Sequence, residues 1–198
     1  NLHHLQQNPC AAFVSGSHIR VYVEKDLIKP EKQHLKYDHY TSLLLYNYIG
    51  VPASVLYHRW VFDEFVFDET LKSCEDYDLY LKVARKYPVV HHDEMVAAYR
   101  IHSSSMSNNT GRMISTAITV LNRQKKEISS LQERKALQEG KKFMKSYYCW
   151  LLYENIKYSR LQFSVKLFPL FLKYRPRYIL RLFHFKLLTN LKLHQSSN

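Results

Sequence analysis

The 198-residue, 23.7 kDa chain is long enough to bury a real core, as one domain or as one domain with an appendage. Its three cysteines (Cys10, Cys74, Cys149) are odd in number and lack paired-ligand spacing, which argues against a disulfide scaffold or a zinc knuckle and fits a reducing compartment. The net charge of +12 invites an anionic partner but is unevenly placed: residues 1–110 hold 11 Lys+Arg and 13 Asp+Glu (−2), and residues 111–198 hold 18 and 4 (+14).

No Asp or Glu follows Glu154, and the split marks two parts, 1–110 and 111–198, with different jobs. In chain order, "AAFVSG" (11–16) and "HIRVYVEK" (18–25) predict strands, the second rich in β-branched and aromatic residues. "DLIKPEKQHLKYD", interrupted by Pro30, predicts a loop. "VPASVLYHR" (51–59) predicts a short buried strand, and "VFDEFVFDET" an irregular connection. From Glu75 to Tyr87 the period changes. Leu79, Val83 and Tyr87 recur at helical spacing, Tyr80 and Ala84 widen the stripe, and Asp78 and Lys82 form an i,i+4 pair. Pro88 stops this helix, and "VVHH" and "MVAAYRIH" predict returning strands.

Beyond Ser107 the texture is helical. "ISTAITVLNRQKKEI" is one candidate, and Phe143, Tyr147 and Leu151 beside Met144, Tyr148 and Leu152 give another a broad apolar stripe. No apolar run approaches the length of a membrane span, and no signal peptide opens the chain. With only four glycines there is no phosphate-cradling glycine loop.

Two constellations carry possible chemistry. In "SCEDYDLYLK" three carboxylates, Glu75, Asp76 and Asp78, crowd the start of the predicted helix. Ser73 and Asp76 have capping-box spacing, and acids near a helix N-terminus are favoured by its dipole. A fixed carboxylate with a tuning neighbour also suits a general base, and a helix terminus is a rigid mounting for one. On "VAAYRIH" strand alternation puts Val96, Ala98, Arg100 and His102 on one face. A guanidinium and an imidazole side by side, followed by "SSSMS", suit a phosphate group, with His102 as a metal ligand; the plain alternative is a solvated strand end. His91 and His92, beside Asp93 and Glu94, point to opposite sides of a strand and are taken as an ordinary turn.

Taken in order, "FDET…CEDYDLYLKVARKYPV…VAAYRIHSSSMS" resembles the C-terminal half of the catalytic domain of family-2, GT-A-fold glycosyltransferases, and "NYIGVPASVLYHRWVF" is similar to the segment that lines the donor pocket there. The likeness covers roughly residues 1–125. It implies an α/β fold (α+β as a fragment), the distal half of a nucleotide-diphospho-sugar transferase, followed by a C-terminal helical extension. It implies that a sugar passes from a nucleotide-diphosphate donor to an acceptor hydroxyl with inversion, in cell-surface glycan or polysaccharide synthesis. By that resemblance Asp76 is the general base, Glu75 places the acceptor or tunes Asp76, Arg100 steadies the leaving phosphates, and His102 completes the site of a divalent metal, Mg or Mn. Asp78 is left as structural. The family's upstream nucleotide-binding half, with its Asp-x-Asp motif, has no counterpart in this sequence, so residues 1–110 are expected to be a partial catalytic domain, and the chain alone is expected to be inactive, with strand edges prone to aggregate.

Residues 176–193, read as a helix, carry Arg177, Arg181 and His184 on a narrow polar stripe, with Tyr178, Ile179, Leu182, Phe183 and Leu187 around the rest. That pattern suits either peripheral contact with an anionic membrane, at its cytoplasmic face and near a glycan or lipid-linked acceptor, or a helical cap on the catalytic domain. The rival function, a non-enzymatic basic module that binds nucleic acid, has the charge and sixteen tyrosines but no nucleic-acid motif, and it leaves the ordered acidic and Tyr-Arg-x-His elements unexplained. No nucleic-acid partner is therefore expected.

Overall fold

The computed structural model describes residues 1–102, 109–158 and 168–181. They form a mixed α/β structure in which one strand organises a four-stranded sheet. That strand, β1 (Phe13–Tyr22), pairs on one side with β2 (Leu27–Glu31) and β3 (Val55–Tyr57), both antiparallel, and on the other with β4 (Val90–Ile101), parallel. Among the described residues no strand pairs with the far edge of β4.

The two strands expected at 11–16 and 18–25 are thus one. The break between them is a register irregularity at Gly16–Ser17–His18, where Gly16 leaves room for Val96 and His92: a Cβ there would lie 2.6 Å from Val96 Cγ2. The loop expected after Asp26 is a hairpin return instead. Asp26 turns the chain in the left-handed region (φ 46°), and Pro30 fits because β2 is an edge strand, where a missing N–H costs no ladder bond. The segment 51–59 is shorter as a strand than expected, since Pro52–Ser54 wind a single 3-10 turn before β3. "VVHH" and "MVAAYRIH" are one strand, β4, so His91 and His92 lie in a strand and not in a turn.

Helix α1 (Leu2–Gln7) precedes the sheet. Helix α2 (His39–Leu45) starts at Asp38, whose Oδ1 accepts the Thr41 N–H at 2.9 Å. The short α3 (Val61–Glu64) lies in the segment expected to be irregular, and Glu64 pairs with Lys86 and accepts the Tyr87 hydroxyl. Helix α4 (Glu75–Lys86) matches its predicted stripe: Leu79, Tyr80 and Val83 are buried, and the chain leaves the helix at Tyr87, just before Pro88. Helix α5 (Thr110–Arg123), capped by Asn109, runs into a 3-10 turn, and α6 (Leu131–Tyr158) follows. Helix α7 (Phe168–Tyr174) follows, and the last described residues, 177–181, are again helical.

One core joins the sheet to the helices on both sides of position 110. Phe13, Leu43, Leu44, Tyr77, Tyr80 and Leu81 pack with Ala117, Val120 and Leu121 of α5 and with Ala136, Leu137 and Met144 of α6. A smaller cluster seats α7 through Ile114, Cys149, Leu152, Phe171, Tyr178 and Ile179. Of the predicted tail helix, Tyr178 and Ile179 are buried against the protein and Arg181 lies over the Tyr178 ring at 5.5 Å. Leu182, Phe183, His184 and Leu187 fall outside the described residues, as does "SSSMS". Among the described residues no helix is long and apolar enough to cross a membrane. The three thiols are free, with Cys10 exposed and Cys149 buried.

Candidate functional site

The start of α4 differs from the expected capping box. Cys74, not Ser73, is the N-cap, held in the left-handed region (φ 59°), and it makes no side-chain capping bond. The Ser73 hydroxyl is buried without a partner. This positive φ turns the chain so that Glu75, Asp76 and Asp78 all fall in the first turn, where the aligned peptide dipoles favour negative charge.

The three acids have separate fates. Asp78 is fully buried, with Arg123 Nη1 3.1 Å from Oδ1 and Lys82 Nζ 2.6 Å from Oδ2, so it ties α4 to α5. Glu75 and Asp76 are half-buried. Burial pushes the Asp76 carboxyl up to about 6; the Tyr77 N–H, 2.8 Å from Oδ1, acts the other way, and the neighbouring Glu75 charge raises it further. Around Asp76 stand Tyr57 of β3, Tyr80 one turn further along α4, and Tyr148 of α6. All three phenols are held above their usual proton affinity, chiefly by burial and in part by the Asp76 charge. Tyr57 and Tyr80 both pack on Phe13, with ring centroids 5.4 and 5.7 Å away. The result is a half-buried carboxylate electrostatically coupled to three phenols, with its proton affinity raised toward neutral pH.

Arg100 lies in β4 and His102 directly follows its last residue, and both are exposed, as expected for that face. Arg100 lies opposite Val21 in the β1–β4 ladder, while Tyr57 lies opposite Phe13, at the other end of β1. Eight positions along a strand correspond to roughly 25 Å. The structure therefore brings Glu75 and Asp76 together, and separately Arg100 and His102. Between the two pairs lies Arg20, paired in register with Tyr99 and within electrostatic reach of Tyr148, which in turn feels Asp76. Its Nε is buried without a hydrogen bond and stands 3.5 Å from Glu31 Oε1. Sequence reasoning missed Arg20, Tyr57 and Tyr148. Arg20 alternates correctly for a half-buried strand position, but nothing local marks it as facing α6.

Two surface cavities lie elsewhere. One, of about 800 Å³, is lined by Lys82, Arg85, Lys86, Arg123, Lys125 and Lys126 among others, at the C-terminal ends of α4 and α5. Most of these cations are already committed, Arg85 to Glu133 at 2.8 Å and Arg123 to Asp68 at 2.8 Å. The other, of about 450 Å³, is lined by Gln33, His34, Leu35, His39, His91, His92 and Asp93. Neither cavity includes Asp76 or His102.

Among the described residues no group of three metal-ligating side chains gathers at Asp76, and the other ligand foreseen, His102, lies just past the end of β4. No family model matches the chain, and no curated protein matches it.

Proposed function

We propose that this chain is the acceptor-side half of an inverting, GT-A-type glycosyltransferase, which moves a sugar from a nucleotide-diphosphate donor to an acceptor hydroxyl. The observation that carries this reading is the carboxyl of Asp76, rigidly mounted at a helix start and raised by burial to about 6. A general base works best with a proton affinity near the operating pH, where it is ionised yet still able to take a proton. Asp76 meets that condition, whereas the Asp78 carboxylate is fully buried and occupied by Lys82 and Arg123, out of reach of an acceptor.

In the proposed reaction Asp76 removes the acceptor hydroxyl proton as that oxygen attacks the anomeric carbon from the side opposite the leaving diphosphate. Glu75 keeps the Asp76 proton affinity high and orients the acceptor. Arg100 and His102 lie near the other end of β1, roughly 25 Å along the strand from the Asp76 end, and take no part in this step; a divalent metal, Mg or Mn, would offset the charge that builds on the departing nucleoside diphosphate. Donor nucleotide and metal would be held by a nucleotide-binding half of the kind that such transferases carry, which has no counterpart among these residues. The acceptor is a surface glycan or its lipid-linked precursor, reached at the cytoplasmic face of the membrane.

The test is release of nucleoside diphosphate from a panel of nucleotide sugars. Residues 1–198 alone should give no turnover, and the same residues joined to the polypeptide encoded immediately upstream should give turnover that Asp76→Asn abolishes. Turnover that is indifferent to Asp76→Asn sinks the proposal.

A further inference from the structure

His92 of β4 is held in one tautomer by its neighbours. The Asn1 amide donates through Nδ2 to the Ser54 carbonyl at 3.0 Å, which fixes Oδ1 as the atom facing His92 Nε2, 2.7 Å away. An amide oxygen only accepts, so Nε2 carries the proton and the ring lone pair lies on Nδ1. The Glu94 N–H lies 3.3 Å from Nδ1, a long contact that is readily given up. The Glu94 side chain is largely exposed, and its Oε1 lies 3.5 Å from Nε2 of His4 on α1. One ligand atom from each of His4, His92 and Glu94 lies within 4.8 Å of the other two.

From this juxtaposition we propose that His4, His92 and Glu94 form a binding site for a zinc-class divalent ion, with the fourth position open to water. Two imidazoles and one carboxylate are a borderline nitrogen and oxygen set, which suits Zn²⁺ better than the all-oxygen sites of Mg²⁺ or Ca²⁺. The Asn1 contact has the form of an outer-shell bond: a ligating histidine donates its second N–H to a carbonyl, which fixes its tautomer and sharpens its lone pair. Without an ion the His4 and His92 rings lie stacked, 4.0 Å apart and 17° from parallel, so their lone pairs run side by side. Capture requires His4 to turn about its Cβ–Cγ bond, which its place on a short surface helix allows. The bound ion would pin α1 to the sheet. The site is separate from His102 and independent of the glycosyltransferase proposal.

Titration of purified chain with Zn²⁺ against a chromophoric chelator at pH 7.5, and with Co²⁺ followed by its visible d–d bands, tests this. One ion should bind per chain, at least tenfold more weakly in Glu94→Gln and not measurably in His4→Gln or His92→Gln. His34→Gln and His39→Gln, in the adjacent cavity, should bind as the unaltered chain does. Far-UV circular dichroism verifies that each variant is folded, and Glu94→Gln, on an exposed side chain, keeps the test decisive if a histidine variant is not. No uptake at 0.1 mM ion (about 0.1 mM being a weak-site limit), uptake unchanged in Glu94→Gln, or uptake lost instead through His34 or His39 overturns the proposal.

Discussion

Asp78 lies fully buried beneath Lys82 and Arg123, whereas Asp76, two residues earlier, keeps part of its surface open among phenols. Different consequences follow for each. With a carboxyl raised from 3.8 to about 6, folded Asp76 binds protons that the unfolded chain has released. Its cost to stability is absent below pH 3.8 and fully present above about 6. Asp76→Asn should therefore stabilise the fold at pH 7.5 by on the order of 2 kcal/mol, and should leave it unchanged at pH 3.5. Paired urea titrations at the two pH values check this, and a loss of stability at pH 7.5 contradicts it. In the active assembly the same change should lower turnover by about 10²- to 10⁴-fold, and the unaltered enzyme should lose activity as pH falls through about 6. Asp78→Ala should behave in the opposite sense, destabilising by about 2–3 kcal/mol in denaturant titration. It strips Lys82 and Arg123 of a buried partner, although both cations are part-exposed and Arg123 keeps Asp68.

Helix α4 was legible in sequence almost to the residue, because its stripe, its internal ion pair and the following proline all agree. Its cap was not, since Ser73 matches a capping-box pattern while the chain turns instead through a left-handed Cys74. β1 and β4 were located but each divided in two, and β2 was taken for a loop. Gly16 looked like a break and is a point of close approach, and Pro30 looked like a loop and sits in an edge strand whose N–H side needs no partner. The surroundings of Asp76 were only half legible: the carboxylate stood out, while Tyr57 and Tyr148, which feel its charge, come from distant segments that no local pattern links. Gly140 belongs to the same class. It falls inside α6, where alanine ordinarily strengthens a helix by about 1 kcal/mol. However, a Cβ there would run into the Leu44 carbonyl of α2, which cannot yield as a side chain could. Gly140→Ala should thus destabilise by at least about 2 kcal/mol net, measured by thermal or urea unfolding. A neutral or stabilising outcome would mean that α2 and α6 pack less closely than described.

The charge boundary near residue 110 coincides with the start of α5, yet it is not a boundary in the core. Ala117, Leu121, Leu137 and Met144 share one apolar cluster with Phe13, Leu44 and Tyr80, and Arg85 of α4 holds Glu133 of α6 at 2.8 Å. The neutral and basic parts should therefore unfold together. Residues 1–110 expressed alone should lack a cooperative transition and bind a hydrophobic dye, because they leave the α5 and α6 side of the cluster uncovered. A sharp two-state melt from that fragment would show that the two parts are separable after all. The surplus of cations in the second part then concerns partners and not architecture.

A different consequence lies in the order in which the sheet is assembled. β1 meets β2 across one tight reversal, but its other flank waits for β4, which ends at Ile101, roughly eighty residues later. At about 5–20 residues per second of translation, that flank stays bare for about 4 to 16 seconds on every ribosome that makes the chain. During that interval the nascent strand is open to any extended segment nearby, so the yield of properly folded protein should depend on how slowly, and how well attended by chaperones, the chain is synthesised.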